Sequence, residues 1–201
     1  NDNEVRSALT IASLTGCRPV EMLGIKVLSD TEIFIPGAKV NEEGNRGLDR
    51  HLKLDSDEVE AIRRAQQWIS EADRQTTEKG LKSDAMHRIQ SRLSTLVKSV
   101  FPKRKSQISL YSFRHQLGAN LKASGMDRVS IAYTMGHQST SSVDVYGDKR
   151  KVSGKIAVSP ARTLEEQKAV VRVNHEKPLS SQVKSAPEHQ KSNDYDGGLS
   201  M

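Results

Sequence analysis

The 201-residue chain contains one cysteine, few aromatic residues and no long run of apolar residues. The single cysteine, Cys17, cannot form an internal disulfide, which is typical of proteins in a reducing cytoplasm. No apolar segment approaches the roughly 20 residues that a membrane-spanning helix needs, and no signal peptide is visible. Because the chain begins at Asn1 rather than at a methionine, we interpret it as part of a longer cytoplasmic protein without a membrane partner.

Common catalytic motifs are also absent. The sequence contains no CxxC, HExxH, GxGxxG, Walker or GxSxG motif. Its aspartate, glutamate and histidine residues form no tight cluster of the kind that binds a metal. These absences argue against the common hydrolases and nucleotide-dependent enzymes, and we expect neither a metal nor a cofactor.

Positive charge is in excess along the chain. Lysine and arginine together number 31 and aspartate and glutamate 25, which gives a formal net charge of +6 and a pI of about 9.4. A basic protein attracts polyanions by Coulomb attraction and by the release of counterions. Nucleic acid is therefore a candidate partner, although many basic proteins never bind it.

The hydrophobic pattern predicts a mainly α-helical α+β fold with a small antiparallel β-sheet. Residues 33–35 and 51–54 are predicted strands, and the glycine-rich segment between them predicts a hairpin with a long tip. Ser56 is a predicted helix N-cap, and residues 73–83 are a predicted polar linker. Helices are predicted over residues 5–14, from Pro19, over 56–69, 89–100, 109–123 and 129–135, and around Val143 and Tyr146.

The predicted domain covers residues 1–160, and the polar residues 148–160 are the expected tether to a short element at 161–173. This element contains the last apolar cluster, 169–173, which we interpret as a short strand or a helical turn. It can dock on a neighbouring subunit, fold back on its own domain or be disordered. Residues 174–201 lack apolar periodicity, and we expect them to be disordered.

Four places in the sequence combine residue types suited to phosphate chemistry. Residues 15–21 (TGCRPVE) place an arginine at a helix junction, with a glutamate three residues later. Residues 111–115 (YSFRH) place a second arginine on a helix, one turn after a tyrosine. Residues 135–139 (MGHQS) place a histidine just after a helix end, and Tyr146 follows that histidine by nine residues. Each segment alone has an ordinary structural explanation, but the joint occurrence in this order indicates one site.

These segments resemble those of the tyrosine recombinase (phage integrase) family. The catalytic domain of that family contains T-G-x-R-x-x-E, H-x-x-R-H and L-G-H segments and a tyrosine nine residues after the last histidine. The chain departs from this pattern at Tyr111, where the family usually has histidine and the related telomere resolvases have tyrosine. The resemblance covers about residues 4–150, and the residues that carry it are Arg18, Glu21, Arg114, His115, Gly136, His137 and Tyr146.

The family also uses a lysine on a β-hairpin between its first arginine and its second segment. Lys39, at the start of the predicted hairpin tip, is the best match, and Lys53 is a distant second. The resemblance thus implies catalytic roles for Tyr146, Arg18, Lys39, Arg114, His137 and Tyr111.

By this resemblance, the chain is expected to be a site-specific DNA recombinase or integrase of a mobile element, with the phenol oxygen of Tyr146 as nucleophile. The two arginines suit the oxygens of a phosphate, His137 can donate to the same phosphate, and Lys39 can protonate the leaving 5′ oxygen. The implied products are a 3′-phosphotyrosyl link and a 5′-hydroxyl. A second strand can then reseal the link without metal or ATP.

The implied partner is double-stranded DNA at a specific site, bound by a homotetramer of subunits that are monomers in solution. The basic residues 103–105 are candidates for phosphate contacts, and they are also consistent with a simple solvated loop. Tyr111 favours a telomere resolvase-like strand transferase as one alternative, and a DNA-binding module without catalysis is the other. The expected DNA contacts are Arg18, Lys39, Arg114, His115, Lys103, Arg104 and Lys105.

Overall fold

The computed structural model describes residues 2–38, 47–80, 84–147 and 155–173, and its fold is the predicted mainly helical α+β arrangement. The α-helices are α1 (Asn3–Thr15), α2 (Ser56–Glu78), α3 (Ala85–Val100), α4 (Leu110–Ala123), α5 (Arg128–Thr134) and α6 (Leu164–Val170). The strands are β1 (Lys26–Val27), β2 (Glu32–Ile35), β3 (Arg50–Lys53) and β4 (Ser159–Pro160), and two 3₁₀ helices cover Pro19–Gly24 and Thr140–Val145.

The sheet is antiparallel throughout, in the order β1-β2-β3-β4. The predicted hairpin is present as β2 and β3, with Ile33 opposite Leu52. The expectation that residues 148–160 form only a tether is wrong at its end, because Ser159 and Pro160 pair with β3 as a fourth strand. Strands of two residues carry no alternating pattern that a sequence could reveal.

The core lies between the sheet and the helices, with α1 packed against α2 and α4. Val5, Ala8, Ile11 and Ala12 of α1 are buried because these small and branched residues recur at helical spacing. Gly16 ends the helix in the left-handed region at φ 58°, where a glycine is favoured. This ending fixes the direction in which residues 17–21 leave α1.

Two sequence predictions about α2 are wrong. The helix extends through residues 73–78, which were predicted as linker, because Ala72 and Thr76 continue its buried stripe and exposed ion pairs of Arg74 stabilise the last turns. The N-cap is Asp55 rather than Ser56, since Asp55 accepts from the helix backbone while Glu58 accepts from the Asp55 N–H.

The C-terminal element folds onto its own chain, where α6 contacts α5. Ser130 Oγ donates to Gln167 Oε1 at 2.8 Å, and Val171 is buried after the helix ends. Arg172 then pairs in parallel with Ser139, so its backbone bonds flank that residue: Arg172 N donates to Gln138 O and Arg172 O accepts from Thr140 N. Residues 174–201, predicted to be disordered, lie outside the described residues.

Among the described helices, none combines the length and apolar character needed to cross a membrane.

Candidate active site

Three hydrogen-bonded side chains from separate parts of the chain form the centre of the site. Arg114 projects from the second turn of α4, His137 follows the end of α5, and Tyr146 follows the second 3₁₀ helix. The fold therefore brings together three side chains that lie on, or just after, three different helices. Arg18, at the junction of α1 and the first 3₁₀ helix, supplies a further positive charge near them.

Arg114 is buried and held by backbone oxygens. Its Nη1 donates to Gly16 O at 2.7 Å, and its Nη2 donates to Met135 O. Nη2 also lies 3.2 Å from His137 Nε2. Because a guanidinium can only donate, His137 Nε2 acts as an acceptor here and the ring proton lies on Nδ1. The helix-ending turns after α1 and α5 thus fix the orientation of the guanidinium.

The Tyr146 phenol lies against the same histidine nitrogen, with its oxygen 2.5 Å from His137 Nε2. Burial raises the pKa of Tyr146, and the positive charges of Arg114 and Arg18 only partly oppose that effect. The phenol is therefore protonated at neutral pH and donates to His137. His137 Nε2 is therefore a proton acceptor in direct contact with the phenol.

His137 is neutral in this arrangement. Burial, together with the charges of Arg114 and Arg18, lowers the pKa of His137 to about 3. Two features of the turn after α5 fix the position of the His137 ring. Gly136, at φ 66°, ends the helix, and the His137 N–H donates back to Ala132 O at 2.8 Å. A neutral acceptor beside a phenol can take a proton, provided that an anion arrives to stabilise the imidazolium.

Arg18 is positioned by a local motif and by a buried partner. Pro19 starts the 3₁₀ helix, and Glu21 Oε2 accepts from Arg18 N at 2.8 Å while Oε1 accepts from Arg18 Nη1 at 2.7 Å. Glu21 also pairs with Arg50 at 2.8 Å, and both side chains of that pair are fully buried. Although burial raises the pKa of Glu21, the charges of Arg50 and Arg18 outweigh it and lower that pKa to about 2. Glu21 therefore orients the Arg18 guanidinium through these contacts.

The ring of Tyr146 rests on a glycine of α4. A Cβ on Gly118 would overlap Tyr146 Cγ, so any larger residue there collides with the ring. One turn later, Lys122 Nζ donates to Tyr146 O at 2.8 Å. An ion pair between Arg128 and Asp144, 2.9 Å long, ties the preceding 3₁₀ helix to α5. These contacts place the phenol relative to Arg114 with little freedom.

Replacing Gly118 by alanine is expected to push the Tyr146 ring away from α4. Displacing a reacting group by about 1 Å can slow chemistry on the order of 10²-fold, and we expect a loss of this size in strand cleavage. The fold should persist, because alanine is the better helix former at this position. Gln116→Ala, at an exposed position of the same helix, is the matched control. Normal cleavage by Gly118→Ala would show that the ring position seen here is not the reactive one.

Lys39, the predicted proton donor, lies outside the described residues. A Cβ on Gly47 would lie 2.9 Å from Ala38 N and 3.2 Å from Arg18 Nη1. The residue before Lys39 and the Arg18 guanidinium therefore meet at the same glycine. Lys53, the weaker match, lies exposed on β3.

The remaining predicted residues lie at the edge of the cluster or away from it. Tyr111 is 45% exposed on the first turn of α4, and among the described residues no hydrogen bond joins it to the cluster. His115 is exposed one residue after Arg114, and its ring meets the Tyr146 ring edge-on at 5.7 Å between centroids. Residues 103–105 form an exposed loop between α3 and α4.

Three residues of the site were not predicted from the sequence: Arg50, Gly118 and Lys122. Arg50 shares a face of β3 with buried Leu52, but it lies just before the predicted strand 51–54, and an arginine ordinarily faces solvent. Gly118 lies in the middle of a predicted helix, and an unexplained glycine there is the one signal that could have indicated a close approach.

The sequence of the chain is similar to that of a known protein family. The model of the phage integrase family matches residues 1–152. A solved structure described as XerA recombinase is similar to the chain, with 15% sequence identity and a TM-score of 0.43. The similarity covers 73% of this chain and 58% of that one, so the chain spans less than two thirds of its length. No curated protein sequence matches the chain.

Proposed function

The chain belongs to the phage integrase family, and we propose that it is a site-specific DNA strand transferase that uses Tyr146 as its nucleophile. The observation that carries this proposal is the contact of Tyr146 with His137, and of His137 with Arg114, in one partly buried cluster. A phenol, an imidazole and a guanidinium in contact are the groups that an in-line attack on a phosphodiester needs.

In the proposed reaction, the scissile phosphate binds between the Arg18 and Arg114 guanidiniums, which match its non-bridging oxygens. Its negative charge raises the pKa of the neighbouring His137, which then accepts the phenol proton and donates to a phosphate oxygen. The Tyr146 oxygen forms the new bond to phosphorus as the bond to the 5′ oxygen breaks. The products are a 3′-phosphotyrosyl link and a 5′-hydroxyl.

The leaving 5′ oxygen needs a proton, and we propose that Lys39 supplies it. The meeting of Ala38 and Arg18 at Gly47 supports this assignment, since it brings the chain before Lys39 to the arginine that holds the phosphate. This sequence of steps routes every proton through side chains, so we propose that it proceeds without metal. Cleavage should then persist in excess chelator.

A suicide substrate tests the proposal. Duplexes from the DNA that flanks the gene, each nicked so that a short 5′-hydroxyl fragment diffuses away, should accumulate a protein–DNA complex that survives denaturant. A DNA-binding module without catalysis would shift the same duplexes in a native gel but leave no denaturant-resistant complex. With intact duplexes of the same sequence, hairpin ends among the rejoined products would favour the telomere resolvase-like alternative that Tyr111 suggests.

We also propose that recombination proceeds in a DNA-bound homotetramer of subunits that are monomers in solution, acting in the cytoplasm on nucleoid DNA. The integration or excision of a mobile element is the proposed biological context. The domain is proposed to end near residue 160, with residues 161–173 coupling subunits. In the single chain these residues pack against α5 of the same subunit. In an exchange between subunits, they would make the same apolar and hydrogen-bonding contacts with α5 of a neighbour.

A chain truncated after Pro160 is expected to bind one half-site but to form synaptic complexes poorly, with altered cleavage. It lacks the Arg172 backbone bonds to Gln138 and Thr140, which brace the segment between His137 and Tyr146. A chain truncated after Asn174 keeps these bonds and serves as the control. Gel shifts and crosslinking on a full site provide the measurement. Normal tetramers and recombination from the shorter chain would show that residues 161–173 do not couple subunits.

A further inference from the structure

Arg50 is a fully buried arginine that lies outside the four segments singled out in the sequence. Its exposed fraction is 0%, and its Nε has no hydrogen-bond partner in the described structure. Removing a guanidinium from water is unfavourable, and well-packed apolar residues often stabilise a fold as well as a buried ion pair does. Stability alone therefore gives a weak reason for an arginine on β3, and its contacts indicate another one.

The first contact of Arg50 is with the carboxylate that orients Arg18. Glu21 Oε2 accepts from Arg50 Nη2 at 2.8 Å, while Glu21 Oε1 accepts from Arg18 Nη1 at 2.7 Å. The single negative charge of Glu21 is thus shared by two guanidiniums. Because Arg18 is partly exposed and Arg50 is not, the triad presents a net positive charge only on the side of Arg18.

The second contact is with the turn that carries His137. A Cβ on Gly136 would lie 2.6 Å from Arg50 Nη1 and 3.0 Å from its Cζ, so the guanidinium packs directly on this glycine. Leu48 also connects Arg50 to this turn. Its N–H donates to Gly136 O at 3.3 Å, and its oxygen accepts from Arg50 Nη1 at 3.4 Å. One side chain therefore joins the segment of Arg18, strand β3 and the turn before His137.

We propose that Arg50 is a positioning residue of the active site, which holds Glu21 and the Gly136 turn so that Arg18 and His137 both face the scissile phosphate. Without Arg50, the full charge of Glu21 would be directed at Arg18 and would compete with the phosphate for that guanidinium. The inference rests on the proposed strand transfer and adds a residue that acts through others without touching DNA.

The test compares Arg50→Met, Arg50→Lys and the double variant Arg50→Met with Glu21→Gln. Ile89→Ala on α3, which opens a cavity in the core far along the chain from these segments, is the control for lost stability. Each folded protein is assayed for single-turnover cleavage of the suicide substrate at saturating concentration. The half-site dissociation constant is measured in parallel.

Arg50→Met is expected to cleave on the order of 10²-fold more slowly than the wild-type protein, because Arg18 is misdirected. Its half-site affinity should stay within about threefold, since most phosphate contacts remain. Arg50→Lys, which keeps the charge, should recover part of the rate. The double variant should cleave faster than Arg50→Met alone, because the neutral amide that replaces the Glu21 carboxylate no longer competes for Arg18, and this recovery of rate is the signature of the proposed route.

Two results would overturn the inference. One is cleavage by folded Arg50→Met at the rate of Ile89→Ala, and the other is a double variant that is slower than Arg50→Met. If Arg50→Met does not fold, Arg50→Lys takes its place against the wild-type protein and Ile89→Ala, where an unchanged rate is the overturning result.

A readout in the DNA-free protein separates this inference from the proposed function. The NMR signal of the Arg18 Nε–Hε group should shift in Arg50→Lys and stay unchanged in Ile89→Ala. If the wild-type protein forms no covalent complex, the proposed function fails, while this shift still decides the role of Arg50. An Arg18 signal that is the same in Arg50→Lys as in the wild-type protein would overturn the inference in either case.

Discussion

Phenylalanine in place of Tyr146 is expected to abolish the covalent protein–DNA complex completely. The substitution removes only the phenol oxygen, while the ring stays packed against Gly118 and keeps its edge contact with the His115 ring. The hydrogen bond to His137 is lost, which should cost about 1 kcal/mol of folding free energy. The variant should therefore melt within a few degrees of the wild-type protein, since a loss of this size shifts the melting temperature of a domain of this size by roughly 2–4 °C.

The matched controls are the same substitution at Tyr111 and at Tyr133. Tyr111 is exposed on α4, and the Tyr133 oxygen accepts a hydrogen bond from the His51 backbone. Both Phe variants should still trap DNA. Half-site gel shifts should give similar affinities for all three variants, because the substitution removes no charge. A covalent complex formed by Tyr146→Phe would assign the nucleophile to another tyrosine.

Replacing Arg114 by lysine is expected to slow cleavage by about 10²–10³-fold, the loss typical of removing one preorganised donor from a transition state. Lysine keeps the charge but cannot hold Gly16 O, Met135 O and a phosphate oxygen at once, as the planar guanidinium can. DNA affinity should change by less than about threefold, since binding is spread over many phosphate contacts. Arg18→Lys should behave similarly, because it loses the geometry fixed by Glu21.

Arg64→Lys, the same substitution at an exposed position of α2, is the control for both arginine variants and should cleave normally. The comparison of rate with affinity decides the role of each arginine. Equal losses in cleavage and in binding would mean that Arg18 and Arg114 serve only to bind DNA.

The helices and the family could be predicted from the sequence because their signals are local. Helical periodicity, Gly16 and the capping residues indicate where helices begin and end. The spacing between His137 and Tyr146 is a property of one short segment, and the structure places both residues in contact. The polar stretch 73–78 misled the prediction because exposed ion pairs make a helix look like a linker.

The contacts that hold the cluster together could not be predicted, because they join segments distant along the chain. Arg50 and Glu21 are 29 residues apart, and Arg114 and Gly16 are 98 apart. The alternation of β3 places Arg50 on the same face as Leu52, but it does not indicate that the guanidinium pairs with Glu21. The glycine at position 118 suggests a close approach, but it does not indicate that the approaching group is the Tyr146 ring. Only the three-dimensional arrangement explains why positions 50 and 118 hold arginine and glycine.

The assignment of Tyr146 as the nucleophile is tested by identifying the atom of the protein that becomes bonded to DNA. The denaturant-resistant complex from the suicide substrate is digested with protease and nuclease, and the modified peptide is sequenced by mass spectrometry. One adduct is expected, a 3′-phosphate ester on the phenol oxygen of Tyr146, with a free 5′-hydroxyl on the released fragment. An adduct on a different residue, or a 5′-phosphate on the released fragment, would contradict this assignment.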